Sequence, residues 1–196
     1  NMEGNITDIL MDYVRLLTHV DIIKFQSMAR EVLRLRDDLN VMYETVGFLD
    51  SMLAAASYRE MMGEWCEPQL TRAKDRQFYL EADELYHPLL TDPVKNTIHT
   101  HRNVLLTGSN ASGKSTFIKT VAINAILAQT IHTVLADSYR ANFFRIYSSM
   151  ALRDDIMSSE SYYMVEIRSL KRIVDQSKCQ GEPVLCFIDE VLRGTN

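Results

Sequence analysis

Eight consecutive residues set the tightest limit on what this chain can become: Gly108-Ser109-Asn110-Ala111-Ser112-Gly113-Lys114-Ser115. They fit the pattern G-x-x-x-x-G-K-[ST] at every fixed position. Before them, Val104-Leu105-Leu106-Thr107 is a short apolar run that reads as a strand. After them, Thr116 to Gln129 reads as a helix, with Ile118, Val121, Ala122, Ala125, Ile126 and Gln129 spaced for burial on one side. Strand, glycine-bearing loop and helix in that order form the context in which such a loop cradles phosphate.

The residue types follow from the charge that must be met. A triphosphate needs several positive partners with no bulky side chain between them. Glycines at 108 and 113 let the backbone curl so that successive N–H groups point inward, and the helix beyond adds its positive end. Lys114 supplies a mobile cation for the β and γ phosphates, and the Ser115 hydroxyl can bind Mg²⁺. The nucleotide-binding set is therefore Gly108, Ser109, Asn110, Ala111, Ser112, Gly113, Lys114, Ser115 and Thr116, with ATP and Mg²⁺ as ligands.

About 75 residues downstream, Val184-Leu185-Cys186-Phe187-Ile188 is a continuous apolar run that ends in Asp189-Glu190. A run of this kind reads as a strand buried on both faces of a parallel sheet, and carboxylates at its carboxyl end lie at the ligand crevice. Asp189 is expected in the Mg²⁺ shell, and Glu190 is expected to polarise the attacking water as general base. An acidic turn after a strand is commonplace; its pairing with the phosphate loop is what makes it half of a site.

The chain divides by pattern into three parts. Residues 1–62 read as a helical core or lever segment: from Ile6 to Met62 there is no proline and only Gly47. One stripe runs through Ile6, Ile9, Leu10, Tyr13 and Leu17, with Asn5 as cap, and a longer one through Ile22, Phe25, Met28, Val32, Leu35, Leu39, Met42, Val46, Leu49 and Leu53, with a cap at Asp21. A helical bundle supplying core is the expected outcome. Residues 63–101 carry three of the four prolines and short apolar pieces, and read as a strand-rich start of the next domain. Residues 102–196 alternate strand and helix, with strands near Val134 and from Phe144 to Tyr147 and a helix from Tyr162 to Gln176. The expected fold is α/β, a P-loop NTPase with a mostly parallel central sheet.

Composition removes some classes of function. The formal charge is −5, and residues 1–66, with six Lys or Arg against eleven Asp or Glu, hold the whole excess. That argues against a broadly basic nucleic-acid surface. No apolar run reaches the roughly 20 residues that cross a bilayer, so the expected location is cytoplasmic, away from membrane. Cys66, Cys179 and Cys186 show no metal-ligand spacing and read as reduced thiols. The same holds for His87, His99, His101 and His132, which read as surface or capping residues. Trp65 is expected to pack where the helices meet the strands.

From His87-Pro88 to Asn196 the sequence closely resembles the ATPase domain of the MutS family of DNA mismatch-repair proteins, which are ABC-type ATPases. Four pieces carry the resemblance: His87-Pro88-Leu89-Leu90; Thr107-Gly108-Ser109-Asn110 with Gly113-Lys114-Ser115-Thr116; Asp154-Asp155 through Ser161 to Met164-Val165-Glu166; and Asp189-Glu190 with Arg193-Gly194-Thr195-Asn196. Val46 to Ala56 also resembles the helix that leads into that domain. The resemblance implies a homodimer through ATPase domains, in which Ser161 reaches the nucleotide of the other protomer and Asn110 positions the loop or the water. It implies DNA as partner of the full-length protein, and an ATPase domain truncated at its carboxyl end, with impaired hydrolysis. Ser161 also suits an ordinary helix N-cap. Two positions depart from the family: Ser159 replaces a glycine, and Val94 stands nearest to the place of an aromatic residue that stacks on adenine. A nucleotide-gated interaction protein that does not act on DNA is the alternative.

Overall fold

The computed structural model describes residues 11, 13–73, 78–109, 112–150 and 162–189. It separates into two compact units, Asn1–Ala54 and Ala55–Asn196. Among the described residues no helix is long and apolar enough to cross a membrane.

The amino-terminal unit is helical. Residues 13–18 are helical up to His19, whose φ of 51° breaks the run. Helix α1, Val20–Arg34, and helix α2, Arg36–Met62, follow. His19 occupies the N-cap position of α1 and makes no side-chain cap bond, so Asp21 lies in the first turn instead of capping it. There its charge still favours the positive helix end. Asn5 lies outside the described residues. Leu35 leaves the helical backbone, at φ −95° and ψ 9°, although its N–H reaches Glu31 O at 3.0 Å and its own carbonyl accepts from Leu39 N at 2.9 Å.

The expected bundle is not formed among the described residues. Neither α1 nor α2 buries a residue. The long stripe is solvent-facing from end to end, between 37% exposed at Leu35 and 67% at Phe25 and Leu53. Periodicity dictates the helix and its apolar face, whereas burial needs a second surface, which this segment does not supply to itself.

The second unit is mixed α/β. Strands β1 (Gln69–Thr71), β2 (Leu80–Leu85), β3 (Asn96–Thr100) and β4 (Ser138–Asn142) form one sheet in the order β1-β4-β2-β3. β1 runs parallel to β4, but β2 is antiparallel to both β3 and β4. The larger sheet is therefore mixed rather than mostly parallel. Strands β5 (Arg145–Ser149) and β6 (Val184–Ile188) form a separate parallel pair. Helix α3, Lys114–Thr130, lies between β3 and β4 in the chain, and helix α4, Tyr162–Ser177, between β5 and β6.

β2 displays how burial dictates register. Leu80 and Ala82 face inward while Glu81 and Asp83 face out, and simple alternation would then bury Glu84. Instead the register shifts between Ala82 and Leu85, with Glu84 at φ 54°, so Leu85 becomes fully buried. The core beneath the sheet gathers Leu80, Ala82, Leu85, Val121, Ala128, Val134, Tyr139 and Phe187. Two expected strands differ. Val134 makes only an isolated bridge with Cys66. Val104-Leu105-Leu106-Thr107 forms no strand at all, and Leu105 is 88% exposed, since no ladder partner lies beside it among the described residues.

Candidate functional site

The glycine-bearing loop leads directly into α3. Gly113 is its N-cap at φ 85°, a left-handed conformation that side-chain-bearing residues rarely adopt, and its carbonyl accepts the first helical bond from Phe117 N at 2.8 Å. Ser112 N donates to Ser109 O at 3.4 Å, which curls the loop. A Cβ at Gly108 would meet Ser112 Oγ at 3.0 Å, a tight approach that the serine hydroxyl would have to relieve by moving.

Lys114 folds back over this loop. Its Nζ donates to Gly108 O at 2.8 Å and to Ser109 O at 2.6 Å. The ammonium thus sits at the positive end of α3, where an incoming anion would gain from cation and helix dipole together. Lys114 and Ser115 are half-buried, whereas Val104 to Ser109 are exposed. Thr116 is exposed, and its carbonyl accepts from Thr120 Oγ1 at 2.8 Å.

Asp189 follows β6, and its N–H donates to Ser149 O at 3.3 Å, which carries the parallel pairing with β5 one residue further. Among the described residues no hydrogen bond or ion pair joins Lys114 or Ser115 to Asp189. Asn110, Ala111, Ser161 and Glu190 lie outside the described residues.

Two anchors of α3 escape a reading by motif. Asn124 is fully buried at mid-helix; its Nδ2 donates to Tyr86 O and Thr120 O, both at 3.0 Å, and its Oδ1 accepts from Leu135 N at 2.8 Å. At the far end, Arg59 of α2 donates to Ile131 O and His132 O, both at 3.1 Å, so a cation covers the negative end of the helix. The same guanidinium stacks 4.3 Å above Trp65. A lone asparagine within an apolar helical face is the one sequence signal that could have pointed to Asn124. The burial face is accordingly rotated: Val121, Ala122 and Ala125 are buried as expected, but Ile126 is 47% exposed and Asn124 and Ala128 are buried in its stead.

The histidines and cysteines take structural places. His99 Nε2 lies 2.8 Å from Asp83 Oδ1, and His101 Nε2 lies 3.3 Å from Glu81 Oε1. His87 Nδ1 accepts from Leu89 N at 3.2 Å. Among the described residues no His, Cys, Asp and Glu cluster could hold a metal ion. All three cysteines are free, and burial pushes the Cys66 thiol up to about 11. Val94 is 80% exposed.

The geometry defines an α/β chain with a glycine-lysine-serine loop at a helix start, and comparison with known proteins gives that class a family. Residues 104–196 match the family model of MutS domain V. The DNA mismatch repair protein MutS of Pseudothermotoga lettingae is 43% identical over half of this chain, and that stretch is 12% of the relative. The MutS of Leptospira interrogans serovar copenhageni is 27% identical over 95% of this chain and 22% of its own length. The MutS of a Thermotoga species is 30% identical over 88% of this chain, again 22% of the relative. The chain belongs to the MutS family, and it spans about a fifth or less of the length of these relatives.

Proposed function

We propose that this chain is the ATP-binding and hydrolysing part of a MutS-like DNA mismatch-repair protein, acting as a switch whose ATPase domains dimerise when ATP is bound. The observation that carries the reading is Lys114, whose ammonium rests on the carbonyls of Gly108 and Ser109 in a loop that opens a 17-residue helix. In this reading residues 1–62 are a core or lever segment, 63–101 the start of the ATPase domain, and 102–196 a P-loop ATPase domain. The protein is placed in the cytoplasm.

The residues present suit a magnesium nucleotide. Gly108 to Thr116 would hold the phosphates, Ser115 and Asp189 the ion, and Mg²⁺ when bound would neutralise charge on the phosphates. Lys114 would exchange its two carbonyl partners for phosphate oxygens, a stronger pairing because both partners are then charged. Glu190 would draw the proton from the attacking water. Ser161 of one protomer would complete the site of the other, and DNA would be gripped by the full-length protein.

Calorimetry with MgATP tests the core of this reading. Lys114→Ala should abolish measurable binding, and affinity retained within a few-fold would remove the site assignment. The formal charge of −5 favours a second reading, a nucleotide-gated interaction protein that does not act on DNA. Titrating matched and mismatched duplexes at several salt concentrations separates the two: absence of salt-sensitive binding would favour the second.

A further inference from the structure

We propose that Arg145 is a positioning residue for hydrolysis in the partner protomer: it fixes the carboxyl end of α4 and so directs the amino end of that helix, which Ser161 precedes in sequence. The inference rests on the proposed function, in which Ser161 of one protomer completes the site of the other.

Arg145 opens β5 and is half-buried. Its guanidinium holds the turn that leads from α4 to β6. Nε donates to Glu182 O at 2.9 Å, Nη1 to Gln176 Oε1 at 3.4 Å, and Nη2 to Gln176 O at 3.1 Å and Cys179 O at 3.3 Å. The backbone N–H of Arg145 donates to Pro183 O at 2.9 Å, so a single residue grips the turn at both of its ends. The last carbonyls of a helix lack intrahelical partners and carry its negative end. A rigid, permanently charged fork meets several of them at once, which a lysine cannot do.

Arg59 covers the carboxyl end of α3 in the same way, through Ile131 O and His132 O. Each of the two helices whose amino ends the proposed function turns toward phosphate thus has an arginine from another element on its far end. For α4 the leverage is large. It has 16 residues, and at about 1.5 Å per residue its amino end stands about 24 Å from the grip. A tilt of about 5° at the base would carry that end about 2 Å, whereas misplacing a reacting group by about 1 Å already costs on the order of 100-fold in rate. Arg172, 5.5 Å from the Tyr147 ring, and the buried Glu166 and Ile173 keep α4 packed. Loss of Arg145 should therefore loosen the direction of the helix without unfolding it.

The full-length protein is the sample. Arg145→Met keeps the stem and removes the fork. It should bind MgATP within about twofold of the parent by calorimetry, because Lys114 lies on another helix, yet turn over at least ~10-fold more slowly. Pairing it with a second variant separates direction from folding. Lys114→Ala should neither bind nor hydrolyse ATP, but it presents an intact α4 to its partner. With the two variants co-expressed under different tags and purified through both, each dimer holds one complete site, and about half of parental turnover should return. Arg145→Lys keeps a cation without the fork and should show the same recovery, which covers the case in which Arg145→Met does not fold. No recovery in the mixed dimer, parental turnover in Arg145→Met alone, or a loss of its affinity beyond about tenfold overturns the proposal. Affinity retained by Lys114→Ala is a distinguishable failure: it removes the nucleotide site itself, and the role of Arg145 with it.

Discussion

The guanidinium of Arg59 joins Thr133 through a 2.8 Å bond from Nε to Oγ1, across 74 residues of sequence. Thr133 is completely buried, so this bond and the two to Ile131 O and His132 O fix the end of α2 on the carboxyl end of α3. Arg59→Met should keep the aliphatic stem and lose the fork and the stacking on Trp65. A destabilisation of about 2 kcal/mol is expected, the sum of modest hydrogen bonds and one cation–π contact. Urea unfolding followed by the fluorescence of Trp65, the chain's only tryptophan, measures it; a loss below about 0.5 kcal/mol would show the clamp to be idle.

Asn124 is the corresponding pin in the middle of α3. Asn124→Leu fits the apolar surroundings in size but strips Leu135 N and Tyr86 O of their side-chain partner. Leaving buried polar groups unmade costs more than the net gain from making them, so about 3 kcal/mol should be lost. An unchanged urea midpoint would mean that water or backbone adjustment replaces the pin.

How much of this was legible follows from the reach of each signal. The helix after the phosphate loop was expected over Thr116 to Gln129 and spans Lys114–Thr130, because its cue, Gly113 before a periodic run, is local. β6 matches the Val184 to Ile188 run residue for residue for the same reason. Val104 to Thr107 reads equally well as a strand, yet a strand exists only when a neighbour pairs with it, and no local pattern states the neighbour. The stripe from Ile22 to Leu53 has the same limit: spacing dictates the helix, and nothing in it says what covers the face. Arg59 gives no local signal, because its partners lie 72 to 74 residues away and are in part backbone atoms, and Asn124 shows only as a lone asparagine in an apolar face, with Tyr86 O 38 residues away. Of the candidate site, the turn into α3 at Gly113 and Lys114 follows from a local cue, whereas the proposed roles of Asp189, Glu190 and Ser161 depend on groups far along the chain or in a second protomer.

The outer face of the mixed sheet should give stability a dependence on acid. The carboxyl of Glu81 is held below its ordinary range first by the hydrogen bond from Arg140, and that of Asp83 first by Ser138 and then by His99. A carboxylate with a depressed native pKa binds fewer protons folded than unfolded at intermediate pH. Its contribution is therefore complete above the unfolded value and fades as pH falls toward the folded one. Urea midpoints should drop between about pH 5 and pH 3, and Asp83→Asn should flatten part of that decline. Because both carboxyls lie on a face that is partly open to solvent, the change is expected to be small, and identical acid limbs in the two proteins would eliminate Asp83 as a contributor.

The assignment of Glu190 makes the sharpest separation between binding and chemistry. In the proposed site Lys114 and the loop amides would meet phosphate charge that is present before and after hydrolysis, so their removal should act on affinity. Glu190, placed one residue beyond Asp189, is asked only to take a proton from water as the bond to the γ phosphate breaks. Glu190→Ala should therefore leave the calorimetric affinity for MgATP within about twofold while lowering turnover by at least ~100-fold, the usual range for a general base. The full-length protein is the right sample, since this chain is about a fifth of the length of its relatives and the proposed Ser161 contribution comes from a second protomer. Parallel losses of affinity and turnover would make Glu190 part of the binding shell with Asp189, and unaltered turnover would move the base to another residue.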